Sequence, residues 1–163
     1  LSSHERMFII EVMGRRSGMI ATYAGLACGA DCILVPEVPY DVDQICESVM
    51  RGVARGKRHS IIILAEGAGH AFPLANDIGD NCGHEVRAVV LGHVQRGGAP
   101  SAFDRILASR MGAAAIEALK DGDSGVAIGL KHADMVRYPL ADAYTGVQPF
   151  RQEMYDLAGI LAL

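Results

Sequence analysis

The sequence predicts an α/β fold built on a parallel sheet with helices over both faces. Three observations carry this. Short apolar, β-branched runs alternate with longer amphipathic stretches along the 163 residues, the grammar of βαβ units. Three of those runs end in glycine beside a charged residue. Apolar residues make up 50% of the chain and charged residues 21%, ordinary proportions for an α/β domain.

The elements follow in order. Met7 to Val12 is an apolar strand, 7–12, and Met19 to Cys28 continues as a helix, 18–28, with Ser17 as its N-cap. A strand at 32–36 ends in Val35-Pro36-Glu37-Val38-Pro39, the clearest helix breaker in the chain. Helix 41–55 carries Ile45, Val49 and Val53, with Asp41 or Asp43 as the cap. Ser60-Ile61-Ile62-Ile63-Leu64-Ala65 is a strand, 60–65, and 67–83 reads as a long loop with room for a short helix within 68–84. A strand at 86–91 follows. Helix 101–120 has Ser101 as N-cap after Pro100, Gly122 as its stop, and an apolar stripe of Phe103, Ile106, Leu107, Met111, Ala114 and Leu119. A strand at 125–130 and a helix at 151–161 complete the chain.

The strand ends carry the chemistry. The first runs into Met13-Gly14-Arg15-Arg16-Ser17-Gly18. Gly14 lets backbone approach a ligand, Arg15 can fork onto a phosphate, and the following helix offers its positive end to an anion. Gly14 and Gly18 serve tight packing equally well. The strand 60–65 ends at Glu66-Gly67, an acid suited to sugar hydroxyls or to a solvated loop. The strand 86–91 ends at Leu91-Gly92-His93-Val94-Gln95-Arg96-Gly97-Gly98, where an imidazole and a guanidinium stand three residues apart. In a parallel sheet these three ends open on one side, where ligands of such sheets bind. The expectation is one cleft holding Arg15, Glu66, His93 and Arg96.

Composition removes several function classes. A net charge of −4 and the absence of Trp argue against a nucleic-acid role. The apolar runs are too short for a membrane span. The four cysteines, Cys28, Cys32, Cys46 and Cys82, lack zinc spacing, even with His70 and His84 nearby, so free buried thiols are expected and no metal site. Reduced thiols and no signal sequence indicate a cytoplasmic protein.

Glu11-Val-Met-Gly-Arg15, Ala65-Glu-Gly67, Val90-Leu-Gly-His-Val-Gln-Arg-Gly-Gly98 and Asp104-Arg-Ile-Leu-Ala-Ser-Arg-Met-Gly112 resemble the 6-phosphofructokinase family of bacterial type. The similarity runs from Ser2-Ser3-His4 to about Leu130. It implies that Met13, Gly14 and Arg15 hold fructose 6-phosphate, that Arg15 also stabilises charge on the transferring phosphoryl group, and that Glu66 hydrogen-bonds the sugar. His93 and Arg96 match the pair at the sugar phosphate. Arg6 and Arg87 match arginines that reach that phosphate from a neighbouring subunit of a homotetramer. Asp31, Arg55 and Lys57 fall where the family binds a nucleoside diphosphate or phosphoenolpyruvate as effector. Arg51, Arg55, Lys57 and Arg58 equally suit the negative end of helix 41–55.

By the same resemblance the chain is a C-terminal half. Residues 1–99 and 149–163 form a three-layer, Rossmann-like sugar-phosphate domain. Residues 100–148 are a helix–strand piece of the nucleotide domain, orphaned from its sheet and expected to expose apolar surface. The family's ATP site, Mg²⁺-binding acid and catalytic Asp find no counterpart here, so transfer is not expected from this half alone. Two alternatives remain: a pyrophosphate-dependent member of the family, and a non-catalytic sugar-phosphate sensor or regulatory subunit.

Overall fold

The computed structural model describes residues 6–145 and 149–162. Ser2–His4, where the resemblance begins, and Gln148, at the expected domain boundary, lie outside the described residues. Two compact units are present. One comprises the described residues up to Arg96 and those from Phe150 onward; the other runs from Gly97 to Pro149.

In the first unit the elements are β1 (Arg6–Val12), α1 (Met19–Cys28), β2 (Cys32–Leu34), α2 (Val42–Ala54), β3 (His59–Ala65), α3 (Ala71–Cys82), β4 (Val86–Val90) and α6 (Gln152–Leu161). The sheet has the order β2-β3-β1-β4, and every pairing is parallel. Strand alternation divides the core. Met7, Ile9, Leu34, Ile62 and Leu64 face Ile45 and Val49 of α2 and Leu74 and Ile78 of α3. Val12, Ile33, Ile63 and Ala65 face the other way, onto Ala21 of α1 and Ala158 of α6. Three layers result. Ile9, Ile62 and Ile78 are fully buried, each contributing about 2 kcal/mol by removal from water.

Caps and crossings explain where the helices begin. Asp41 caps α2, accepting the Asp43 amide at 2.7 Å. For α1 the N-cap is Gly18, not Ser17, although the Ser17 hydroxyl accepts the Met19 amide at 3.2 Å. The Gly18 amide donates to the Glu37 carboxylate at 2.9 and 3.0 Å. The end of α1 that the sequence offered to an external anion therefore already holds an internal one. The long loop expected over 67–83 is mostly the helix α3. Its Pro73 stands in the first turn, where a helix needs no N–H.

The cysteine expectation is corrected. Cys46 of α2 and Cys82 of α3 form a disulfide, and Cys28 and Cys32 are free. Cys28 is exposed rather than buried. A disulfide weakens the thiol argument for a cytoplasmic location. Among the described residues, no helix is long and apolar enough to cross a membrane.

The second unit contains α4 (Ala102–Lys120), β5 (Val126–Lys131), β6 (Asp134–Pro139) and α5 (Leu140–Thr145). Ser101 and Asp104 form the capping box of α4. β5 is not partnerless: it pairs antiparallel with β6, an element the sequence reading did not contain. The connection turns through His132 at φ 58, and Arg137 is clamped by Asp121 and Asp123, each at 2.8 Å. The stripe on α4 is only partly covered. Leu107, Met111 and Ala114 are half-buried, whereas Phe103, Ile106 and Leu119 stay 65%, 62% and 69% exposed. Two strands and one short helix are too little to cover both sides of a helix of 19 residues.

Candidate functional site

β1, β3 and β4 end side by side, because all three are parallel. The ladder continues one step beyond them: Glu66 N–H donates to Val12 O at 2.9 Å and Leu91 N–H to Glu11 O at 3.1 Å. Beyond that edge lies a cleft of about 490 Å³ lined by Glu11, Met13, Arg15, Glu66, His70, Gly92, His93 and Arg96. Arg15, Glu66, His93 and Arg96 therefore share one cavity, as the strand-end geometry predicts. Met13 lines it too, and Gly14 sits behind it, its amide turned to Glu66.

The loop after β1 is held from both sides. Glu66 Oε1 accepts the amides of Gly14 at 3.0 Å and Arg15 at 2.6 Å. Gln95 Oε1 accepts the Met13 amide at 2.9 Å. Arg15 is fixed in the left-handed region, φ 53, a conformation that the β-carbon disfavours and that persists where surrounding contacts determine it. Close approach is built in: a β-carbon on Gly67 would stand 2.0 Å from the Arg15 carbonyl oxygen. The amides of Arg15 and then Gly14 hold the Glu66 carboxyl below its usual range, and the Arg15 and Arg96 guanidinium groups add to this.

Glu11, absent from the sequence-based site, lies in the floor. It is a buried carboxylate whose Oε2 accepts the Ala71 amide at 2.7 Å, at the start of α3. Gln95, His70 and Gly92 were likewise missed. A carboxylate in the middle of the apolar run Phe8-Ile9-Ile10-Glu11-Val12 was the available signal, since buried acids need dedicated donors. After β4 the chain makes a 3₁₀ turn over Gly92–Gln95, which carries His93 and leads into Arg96.

Four expected site residues lie elsewhere, and so does Arg55. Arg6 opens β1, about 20 Å along the strand from its cleft end by extended-chain geometry. Arg87 is the second residue of β4 and pairs with Glu85 at 3.1 Å. Neither reaches this cleft from within the chain. Asp31 is buried; one carboxylate oxygen pairs with Lys57 and the other accepts the Ile61 amide at 2.8 Å. Asp31 and Lys57 thus already satisfy each other. Arg55 is the exposed C-cap of α2. A second cavity, of about 300 Å³, is lined by Asp31, Cys32, Asp41 and Tyr155 among others. It holds no cationic side chain, so it is not the phosphate receptor that the cleft at the strand ends can be.

Fold and cleft together define an α/β protein with a polar cleft at the carboxyl ends of a parallel sheet, where two guanidinium groups and two imidazoles stand beside two carboxylates. Residues 1–119 match the family model described as phosphofructokinase. The chain is 46% identical over 161 residues to an ATP-dependent 6-phosphofructokinase of Clostridium acetobutylicum, across 99% of this chain and 50% of that protein. It is 47% identical over 161 residues to an enzyme of the same name from Thermotoga neapolitana, with the same coverage of 99% and 50%. Among solved structures it resembles phosphofructokinase of Pichia pastoris in the T-state, with TM-score 0.77, 38% identity, and coverage of 99% of this chain and 19% of that one. It also resembles a pyrophosphate-dependent phosphofructokinase from Marinobacter aquaeolei, with TM-score 0.77, 27% identity, and coverage of 98% and 48%. The chain belongs to the phosphofructokinase family, as a C-terminal half: it spans about half the length of the curated relatives it matches.

Proposed function

We propose that this chain is the sugar-phosphate-binding half of an ATP-dependent 6-phosphofructokinase, which forms fructose 1,6-bisphosphate from fructose 6-phosphate in glycolysis. The observation that carries this reading is the shared cleft of Arg15, Glu66, His93 and Arg96. A phosphate monoester is a dianion with several acceptor oxygens, and a guanidinium beside an imidazole is a receptor for it. His93 and Arg96 take the phosphate of the sugar. Met13 and Glu66 border the sugar ring, with Gly14 behind them. Arg15 faces the reacting end, where it offsets charge gathering on the phosphoryl group in flight. Arg6 and Arg87, at the far ends of their strands, serve the cleft of a neighbouring subunit in a homotetramer.

Magnesium and nucleotide are assigned to the other half of the enzyme. Among the described residues no group of three His, Cys, Asp or Glu side chains could hold a metal, and both cleft carboxylates accept backbone amides. The cleft carboxylates are committed to backbone donors rather than gathered as a metal site. The second unit, residues 97–149, is read as a piece of the nucleotide domain, its exposed Phe103, Ile106 and Leu119 meeting apolar surface of that half. The Asp31–Lys57 pair supports a structural anchor more strongly than an effector site. Pyrophosphate as donor is the nearest rival, favoured by the likeness to the Marinobacter aquaeolei structure; the stronger identities are with ATP-dependent enzymes.

Calorimetric titration of the chain with fructose 6-phosphate tests the reading. Saturable binding that Arg96→Ala weakens is expected, with no product from ATP and magnesium until the other half is supplied. Turnover by the chain alone, or binding indifferent to Arg96, would overturn it.

A further inference from the structure

We propose that His70 determines specificity in the cleft: its imidazole hydrogen-bonds a hydroxyl of the bound sugar phosphate, at the end remote from His93 and Arg96. This rests on the reading of the cleft as a sugar-phosphate site and extends it.

His70 occupies the N-cap of α3, yet its side chain makes no capping hydrogen bond. Ser, Thr, Asp or Asn would be the ordinary choice there, because their short side chains reach back to the first-turn amides. The capping work is done from outside, by the Glu11 carboxylate on the Ala71 amide. The imidazole has no helix duty, and the residue is exposed and lines the cleft.

The remaining groups define what such an imidazole adds. Both cleft carboxylates are engaged with backbone amides, Glu66 with Gly14 and Arg15, Glu11 with Ala71. The guanidinium groups of Arg15 and Arg96 donate only. A neutral imidazole donates at one nitrogen and accepts at the other, so, away from the guanidinium that accompanies His93, it can serve both the proton and the lone pairs of an alcohol. Position agrees. β1 lies between β3 and β4 in the sheet. His93 and Arg96 follow β4, whereas His70 follows β3 and Glu66. Adjacent strands are spaced by about 4.8 Å, so the two sides stand about 10 Å apart. A phosphate seated over the β4 side directs the sugar across β1 toward His70.

The test titrates the chain and its His70→Ala and His70→Gln variants with fructose 6-phosphate and, separately, with inorganic phosphate. His70→Ala should weaken fructose 6-phosphate about tenfold, the worth of one hydrogen bond, and leave inorganic phosphate unchanged. His70→Gln, which keeps a donor and an acceptor, should restore sugar-phosphate affinity to within about twofold. Thermal melting of both variants should match the parent, because no cap bond is lost. Equal weakening of both ligands would make His70 a phosphate ligand and overturn the proposal. Unaltered affinity in His70→Ala overturns it alone and leaves the cleft reading standing. Failure of the parent chain to bind either ligand overturns both.

Discussion

Glu66 grips Arg15 by the backbone: the carboxylate Oε1 accepts the Arg15 amide at 2.6 Å, and the same oxygen takes the Gly14 amide. The acid therefore has a post before any ligand arrives. It fixes the loop that aims the Arg15 guanidinium, and it does so most firmly when ionised.

That bond makes the loop acid-sensitive. The Glu66 carboxyl titrates below its usual range because the Arg15 and Gly14 amides favour the charged form. In the unfolded chain it would titrate at about 4.3. A depressed native value means the stabilisation is complete above the unfolded value and is lost as pH falls through the native one. The Gly14 and Arg15 amide resonances should shift together, with one midpoint below that of free glutamate, in a titration from neutral pH downward. In Glu66→Gln this transition should vanish. Independent titration of the two amides would separate them from Glu66.

Gly67 is a second support for the same loop. A methyl group there meets the Arg15 carbonyl oxygen at 2.0 Å, a backbone atom that cannot swing away. Gly67→Ala should cost about 1–3 kcal/mol of stability and weaken sugar-phosphate binding more than a surface Gly→Ala control such as Gly112→Ala, which has open space around it. Denaturant melts with parallel titrations check both parts.

The cysteines give a count that chemistry can read. Denatured without reductant, the chain should show two thiols, and four after reduction. In the folded state Cys28 should alkylate first, since it is exposed. Burial pushes the Cys32 thiol up to about 11, with Asp31 adding to the rise, so its reactive thiolate is scarce at neutral pH. A raised native value favours the protonated thiol; that contribution is intact below the unfolded value, about 8.5, and is lost as pH climbs toward about 11. Removing the crosslink with Cys46→Ser and Cys82→Ser closes no loop across the separation of 36 residues, a loss of about 3–4 kcal/mol in the chain-entropy account.

Arg15→Ala, made in the enzyme assembled from both halves, separates binding from chemistry. A guanidinium that acts on the phosphoryl group in flight should lower kcat more than it raises KM. A raised KM at unchanged kcat would reassign Arg15 to ground-state binding.

How much of this was legible in the sequence divides along physical lines. The parallel strands announced themselves through β-branched runs such as Ser60 to Ala65, and their common direction gathered Arg15, Glu66, His93 and Arg96. α3 was obscured by Pro73, which reads as a breaker but falls in the first turn. β6 was hidden because Asp134-Met-Val-Arg-Tyr-Pro139 is short and charged, its place fixed by pairing with β5 and by Arg137 binding Asp121 and Asp123 after α4. Glu11, Gln95 and the Cys46–Cys82 bond are partnerships between distant segments. No local pattern encodes such partnerships.

The mouth of the sheet draws its side chains from three segments, after β1, β3 and β4, and Glu66 and Gln95 lash the first of them to the other two. The segments after β1 and β3 each lead into a helix, α1 and α3, while the one after β4 makes a 3₁₀ turn. A change in either outer wall is therefore felt at the loop that carries Arg15, so the three walls of the cleft must change in concert.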